Sequence, residues 1–225
     1  MKDSFVRKGL CPVGLLAAIA AAVVVLSMVP TARAQVQQRE FVFDDDCLPP
    51  RDSSYLGQFH LLYAAGLIRL DDPIHSAFTS CDPPPKGARG SSTTHSFDST
   101  VEARVTVVGV GAFLVSAPAM VTVRVTLSGH EPHGMRVFDT EMLQLDISGG
   151  TLPVGVMLRE SPTLPSLGMT TTRHYPGGNF AISSFFDVFT ELSLDGGQTW
   201  YPGTDESGAI VPARVILVGP VPVTP

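Results

Sequence analysis

Charge is scarce in this chain. Only 16% of its 225 residues are Asp, Glu, Lys or Arg, which argues against a disordered polyelectrolyte and against a long coiled coil. Lysine is scarcer still. Beyond residue 34 a single Lys, Lys86, joins ten Arg against 20 acids, a net charge of −9. Nucleic acids and anionic membranes need clustered positive charge, so neither is an expected partner. There is one Trp and there are three Cys. No G-x-G-x-x-G or G-x-S-x-G is present, which excludes a dinucleotide-binding doubly wound fold and a nucleophile elbow.

Glycine (21) and proline (19) are plentiful, and 44% of the residues are hydrophobic. That composition suits many short connections between β-strands. The amino terminus reads as a segment apart. Lys2, Arg7 and Lys8 precede an apolar run from Val13 to Val29, and Ala32-Arg33-Ala34 supplies the small residues of a cleavage site. This is the three-part pattern of a secretory signal peptide, with cleavage after Ala34; an uncleaved anchor is the alternative. The expected location is secreted, periplasmic or at the cell surface, with a mature chain that does not span the membrane. Cys11 leaves with the signal. Cys47 and Cys81 remain, and two thiols in an exported chain pair as a disulfide. The bridge would close a loop worth about 3–4 kcal/mol in the chain-entropy model.

Residues 55–81 fit two strands, near 57–63 and 67–70, turned at Ala64-Ala65-Gly66; a helix from Ser53 or Ser54 is the competing reading. Residues 82–92 form a Pro/Gly-rich connection. From 93 onward the period-2 signal is clear. Val101, Ala103, Val105 and Val107 alternate with polar residues, as do Val121–Leu127 and Leu143–Ile147. Such stripes mark strands with one buried and one wet face. Phe180 to Leu194 carries aromatics in both phases, which predicts a bulge or burial on both sides. Val215 and Leu217 mark a last strand. The expected fold is an all-β antiparallel β-sandwich, jelly-roll or Ig-like. Residues 1–34 are the signal, 35–92 an N-terminal β/loop extension with the disulfide, 93–218 the sandwich and 219–225 a proline-rich tail.

The sharpest motif is Ser193-Leu194-Asp195-Gly196-Gly197-Gln198-Thr199-Trp200. It resembles the Asp-box, S-x-D-x-G-x-T-W, of bacterial sialidases and related propeller proteins. Its implied role is structural: Asp195 accepts backbone N–H groups, Gly196 and Gly197 allow positive φ, and Trp200 covers the hairpin. A single Trp rules out a second complete box, and no Arg-Ile-Pro motif supports sialidase activity. A wider stretch, residues 90–201, resembles a group of uncharacterised exported bacterial proteins found mainly in bacteria with large secretomes, such as planctomycetes. The resemblance rests on Thr94-His95-Ser96-Phe97-Asp98-Ser99, Val115-Ser116-Ala117-Pro118-Ala119, Val154–Pro162 and Ser184–Glu191. It implies export and a β fold but no activity.

Candidate site residues are few. His130-Glu131-Pro132-His133 could hold zinc or copper, yet the segment reads first as an exposed hairpin loop. His60, His75, His95 and His174 are scattered. Asp44-Asp45-Asp46 lacks calcium-loop spacing and reads as a solvated turn. Asp187 and Glu191 stand about 13 Å apart on one strand, too far to act as a pair. Tyr175, Trp200 and Tyr201 are the candidate ligand-stacking aromatics. The expected function is non-catalytic, structural or ligand-binding, with an extracellular glycan or surface protein as partner and no cofactor. The alternative is a secreted hydrolase acting on polysaccharide or glycoprotein.

Overall fold

The computed structural model describes residues 39–131 and 134–222. The segment expected to be a signal, with Cys11, and His133 lie outside the described residues. Regular structure among the described residues is strand: β1 Phe41–Phe43, β2 Ser54–Gly57, β3 His60–Tyr63, β4 Ile68–Ser76, β5 Ser92–Val107, β6 Gly111–Glu131, β7 Met135–Ser148, β8 Met157–Glu160, β9 Ser166–His174, β10 Phe180–Val188, β11 Thr190–Ser193, β12 Tyr201–Pro202, β13 Ala213–Val218 and β14 Val221–Pro222. No helix among these residues is long and apolar enough to cross a membrane.

The strands do not form an open sandwich. Every pairing is antiparallel, and the order β7-β6-β5-β4-β2-β13-β10-β9 returns to β7, closing an eight-stranded barrel. The extra strands lie outside this ring. The expected sandwich fails on one strand, β9. It pairs β10 from Phe180↔His174 to Asp187↔Leu167 and pairs β7 from Arg136↔Thr172 to Met142↔Ser166, sealing the last gap. The buried positions of β9 are Ser166, Thr170 and Thr172, not aliphatic residues. It therefore carries no apolar stripe, and without it the remaining strands read as two stacked sheets. Closure removes the exposed edges that an open sheet must protect.

Residues 35–92 supply two barrel staves, β2 and β4. The turn at Ala64-Ala65-Gly66 is present, with all three residues at positive φ. The strand region from Phe180 breaks at Phe189: β10 is a stave, while β11 pairs β8 outside the ring. Within β10 the aromatics occupy both phases because Phe186 is buried in the barrel core while Phe185 lies on the other face under the Arg214 guanidinium. β9 also contains a glycine that the packing requires. A Cβ at Gly168 would run into the Phe185 carbonyl and crowd the Thr140 hydroxyl.

Two apolar cores follow from the strand lengths. β5 and β6, at 16 and 21 residues, are longer than a barrel stave needs. In the barrel, Val121, Val123 and Val125 of β6 pack with Phe138 of β7, Ile182 and Phe186 of β10 and Leu217 of β13. The outer halves of β5 and β6 run on to cover a second, smaller core of Leu61, Tyr63, Ile68, Leu70, Ala103 and Leu192.

Candidate functional site

The barrel interior is not filled completely. A cavity of about 40 Å³ remains, lined by at least one residue from each of the eight staves. Tyr55 comes from β2, His75 from β4, His95 and Phe97 from β5, Val121, Val123 and Val125 from β6. Thr140 and Met142 come from β7, Thr170 from β9, Phe186 from β10 and Val215 from β13. Period-2 alternation places these side chains: consecutive inward positions along each stave face the lumen.

The lumen also has a plug. Leu48 and Pro49 line it from the loop between β1 and β2 rather than from a stave. Cys47 is disulfide-bonded to Cys81, with Cα atoms 5.0 Å apart. The Leu48 N–H donates to the Asp82 carbonyl at 2.7 Å. His95 Nδ1 donates to the Leu48 carbonyl at 3.0 Å, and the Thr93 hydroxyl lies 2.9 Å from Nε2. Arg136 binds Asp46 at 2.6 Å. The loop is thus held by one covalent bond, two backbone-directed hydrogen bonds and an ion pair.

The walls differ in chemistry. The wall from β7 to β10 bears hydroxyls. The Tyr55 hydroxyl donates to Ser184 Oγ at 3.0 Å, and Ser184 Oγ lies 2.7 Å from Thr170 Oγ1. Burial pushes the Tyr55 phenol up to about 12, opposed in part by its bond to Ser184. The Thr140 and Thr172 hydroxyls are buried with no hydrogen-bond partner among the described residues. The facing wall carries rings: Phe78 packs edge-on against Tyr55, His75 and Phe97. His75 Nε2 lies 2.6 Å from Ser99 Oγ, and burial pushes its imidazole down to about 4.

The residues singled out in the sequence are dispersed. The turn 193–200 has the expected local geometry. Asp195 Oδ1 accepts from Gln198 N at 3.0 Å and Thr199 N at 2.8 Å, and Gly197 N donates to Ser193 Oγ at 2.9 Å. The Thr199 amide and then the Ser193 hydroxyl hold the Asp195 carboxyl down to about 2. Gly196 and Gly197 have φ of 71° and 88°. Trp200 donates from Nε1 to the Gly197 carbonyl, and the Arg159 guanidinium lies 3.9 Å above its ring. Arg159 covers one face of Trp200, and Tyr201 packs on the smaller core. Tyr175 lies in the β9–β10 turn, bonded to Asn179. The two places lie toward opposite ends of β7, roughly 30 Å apart by strand rise. Tyr175 cannot share a platform with Trp200 and Tyr201.

Asp187 is bound at both oxygens by Arg214, and Glu191 by Arg159 and the Ser161 hydroxyl. Glu160 is raised, first by burial and then by the nearby Glu141 and Glu191, against the opposing bond from Ser166. None of these acids lines the lumen. His130 is exposed at the end of β6, and its proposed partner His133 is outside the described residues. Among the described residues, Asp45, Cys47 and Cys81 bring three potential metal-ligand atoms within 4.8 Å, but both sulfurs are engaged in the disulfide. A second concavity, about 590 Å³ and open to solvent, lies along Gln58, Phe59, His60, Asp71 and Asp72. Of its polar side chains, His60 lies against Glu206 and Arg69 pairs with Asp71, while Asp72 has no ion pair among the described residues.

Sequence reasoning named His75 and His95 as scattered and did not place them in one lumen. A signal for His95 existed: it stands in phase with Phe97, Ser99, Val101 and Ala103 along β5. His75 had none, because a bulge between Asp71 and Ile74 shifts the phase of β4. The lumen and its plug stand on the geometry alone: no family model, no curated protein and no solved structure matches this chain.

Proposed function

We propose that this is an exported, non-catalytic binding protein whose ligand site is the barrel lumen. The ligand class is a small, mainly apolar molecule with one hydrogen-bonding group. The observation that carries this reading is the Thr140 hydroxyl, buried without a partner among the described residues in an otherwise largely apolar cavity. A buried polar group left unpaired costs about 1–3 kcal/mol, which a ligand's polar atom or an ordered water recovers. Eight-stranded barrels are just wide enough to be filled by side chains or to hold one small molecule.

Size adds a condition. A 40 Å³ space takes about three waters and falls short of the ~150 Å³ that accepts a benzene ring. A larger ligand must displace lining residues that come from loops, Leu48 and Pro49 between β1 and β2 or Phe78 between β4 and β5. Export is supported by the tripartite amino-terminal pattern and is in keeping with the Cys47–Cys81 bond. The hydrolase reading has no such support, since Asp187 and Glu191 are held in ion pairs with arginines.

The test is thermal unfolding with medium-chain alcohols and carboxylic acids. A ligand at 100 times its dissociation constant stabilises by about 2.7 kcal/mol, a shift of several degrees. A Val123→Phe variant, which fills the lumen, should remain folded and lose the shift. A shift of equal size in Val123→Phe would place the ligand elsewhere and end this reading.

A further inference from the structure

The hydroxyl wall of the lumen holds more protons than its own contacts use. Tyr55, Ser184 and Thr170 bring three O–H groups together through two contacts, Tyr55 to Ser184 at 3.0 Å and Ser184 to Thr170 at 2.7 Å. Each contact uses one proton, so one of the three is left over. Placement decides which. The Tyr55 phenol is the most acidic of the three groups and donates to Ser184. Ser184 is 1% exposed and does not line the cavity, so a proton left there would have no outlet, whereas Thr170 does line the cavity. The chain therefore runs from Tyr55 through Ser184 to Thr170, and the Thr170 proton is the one left to the lumen. Each bond in such a chain polarises the next, which makes its last hydroxyl a stronger donor.

Thr140 adds a second donor. Its hydroxyl is buried with no partner among the described residues. Its register partner on β9 is Gly168, where a Cβ would lie 2.7 Å from Thr140 Oγ1, so the missing side chain leaves the hydroxyl uncovered on that side. Thr170 is paired with Phe138, two residues before Thr140 on the same face of β7. Thr140 and Thr170 are thus diagonal neighbours across one strand pair, about 7 Å apart. One carbonyl or ester group spans that gap, accepting from each hydroxyl at about 2.8 Å.

The lumen offers no charge to an ion. No Asp, Glu, Lys or Arg lines it. His95 keeps a proton on Nδ1, bonded to the Leu48 carbonyl, and its Nε2 meets the Thr93 hydroxyl. His75 is uncharged at neutral pH, because burial pushes it down to about 4, and burial keeps Tyr55 protonated by pushing it up to about 12. An ionised group entering here loses its hydration and gains no countercharge. We propose that the lumen selects a neutral hydrogen-bond acceptor, an apolar ketone or ester whose carbonyl oxygen takes the Thr140 and Thr170 protons. The proposal rests on the lumen being the binding site and narrows what that site accepts. A carboxylate brings acceptors but a charge, and an ammonium brings a charge and further donors. An alcohol oxygen accepts as well, but it adds one more proton to place.

The probe is 2-octanone, titrated into the full chain at neutral pH beside octanoate and octylamine, which are ionised there. Calorimetry reads the affinity, and infrared difference spectroscopy reads the carbonyl stretch of the bound ketone. The expected result is that 2-octanone binds more tightly than either ion by on the order of tenfold. Its stretch should fall below the frequency seen in hexane. Thr140→Val should move the stretch back toward the hexane value and weaken ketone binding about fivefold. Because the Thr140 hydroxyl has no partner to lose, thermal unfolding of that variant should be no weaker, which serves as the folding control. A bound ketone that Val123→Phe excludes, but whose stretch matches hexane, would overturn this proposal and leave the lumen reading standing. So would octanoate binding as tightly as 2-octanone. Binding by none of the three, or ketone binding that Val123→Phe leaves intact, would overturn both.

Discussion

The two ends of the β5–β6 hairpin use the same alternating pattern for opposite purposes. At the barrel end, His95 and Phe97 of β5 line a space that is partly polar and plugged by Leu48 and Pro49. At the other end, roughly 40 Å away by strand rise, Val108, Val110 and Leu114 face water. Polar groups are inside at one end, and apolar groups are outside at the other. Burial thus says less about function here than the mismatch between a residue and its surroundings. The unpartnered Thr140 points to something the chain alone does not supply.

The largest expected effect tests the plugged end. Replacing Cys47 and Cys81 with Ser should cost about 3–4 kcal/mol, given the 34-residue separation. The melting temperature should fall on the order of 10 °C.

The next effect concerns the seam strand. Gly168→Ala should destabilise by about 1–3 kcal/mol, because the added methyl has the Phe185 carbonyl in its way. Denaturant unfolding would check it, and a neutral result would mean that β9 is not sealed against β10 as described. The hydroxyl wall offers a finer contrast. Thr170→Val breaks a bond to Ser184 and should cost about 1 kcal/mol, whereas Thr140→Val removes an unpartnered hydroxyl and should be neutral or slightly stabilising. Equal losses at both positions would mean that Thr140 has a partner, such as an ordered water.

The pH dependence follows from His75. Its imidazole is pushed down to about 4 in the fold, against about 6.5 in an unfolded chain. Between those values the unfolded chain binds the extra proton, so stability is full above pH 6.5 and falls as pH drops toward 4. His75→Gln should flatten melting temperature across that window. A slope unchanged by the substitution would assign it to other groups. The smallest effect is at the far end of the hairpin: Leu114→Ser should alter stability by less than about 0.5 kcal/mol, as expected for an exposed side chain.

Much of the wall was legible from residues alone. β5, β6 and β7 announce themselves by Val101–Val107, Val121–Leu127 and Leu143–Ile147, stretches where aliphatic and polar residues alternate, although a bulge turns Leu143 itself outward. The disulfide was legible by counting. Barrel closure was not, and the reason is chemical. The stave that closes the ring, Ser166–His174, buries Ser and Thr where the others bury Val and Leu. A strand that lines a partly polar lumen loses the hydrophobic rhythm by which strands are recognised. The feature that hid the fold is the same one that marks the candidate site. The aromatics Tyr175, Trp200 and Tyr201 failed as a cluster for a different reason, since register separates residues that composition makes look alike.

The most direct test of the lumen as a binding site is a nitrogen–proton NMR titration of the folded protein with 1-octanol. The account predicts saturable shifts at the amides of Leu48, His95, Thr140 and Thr170. Shifts confined to residues 108–114, or no saturable shift at all, would contradict it.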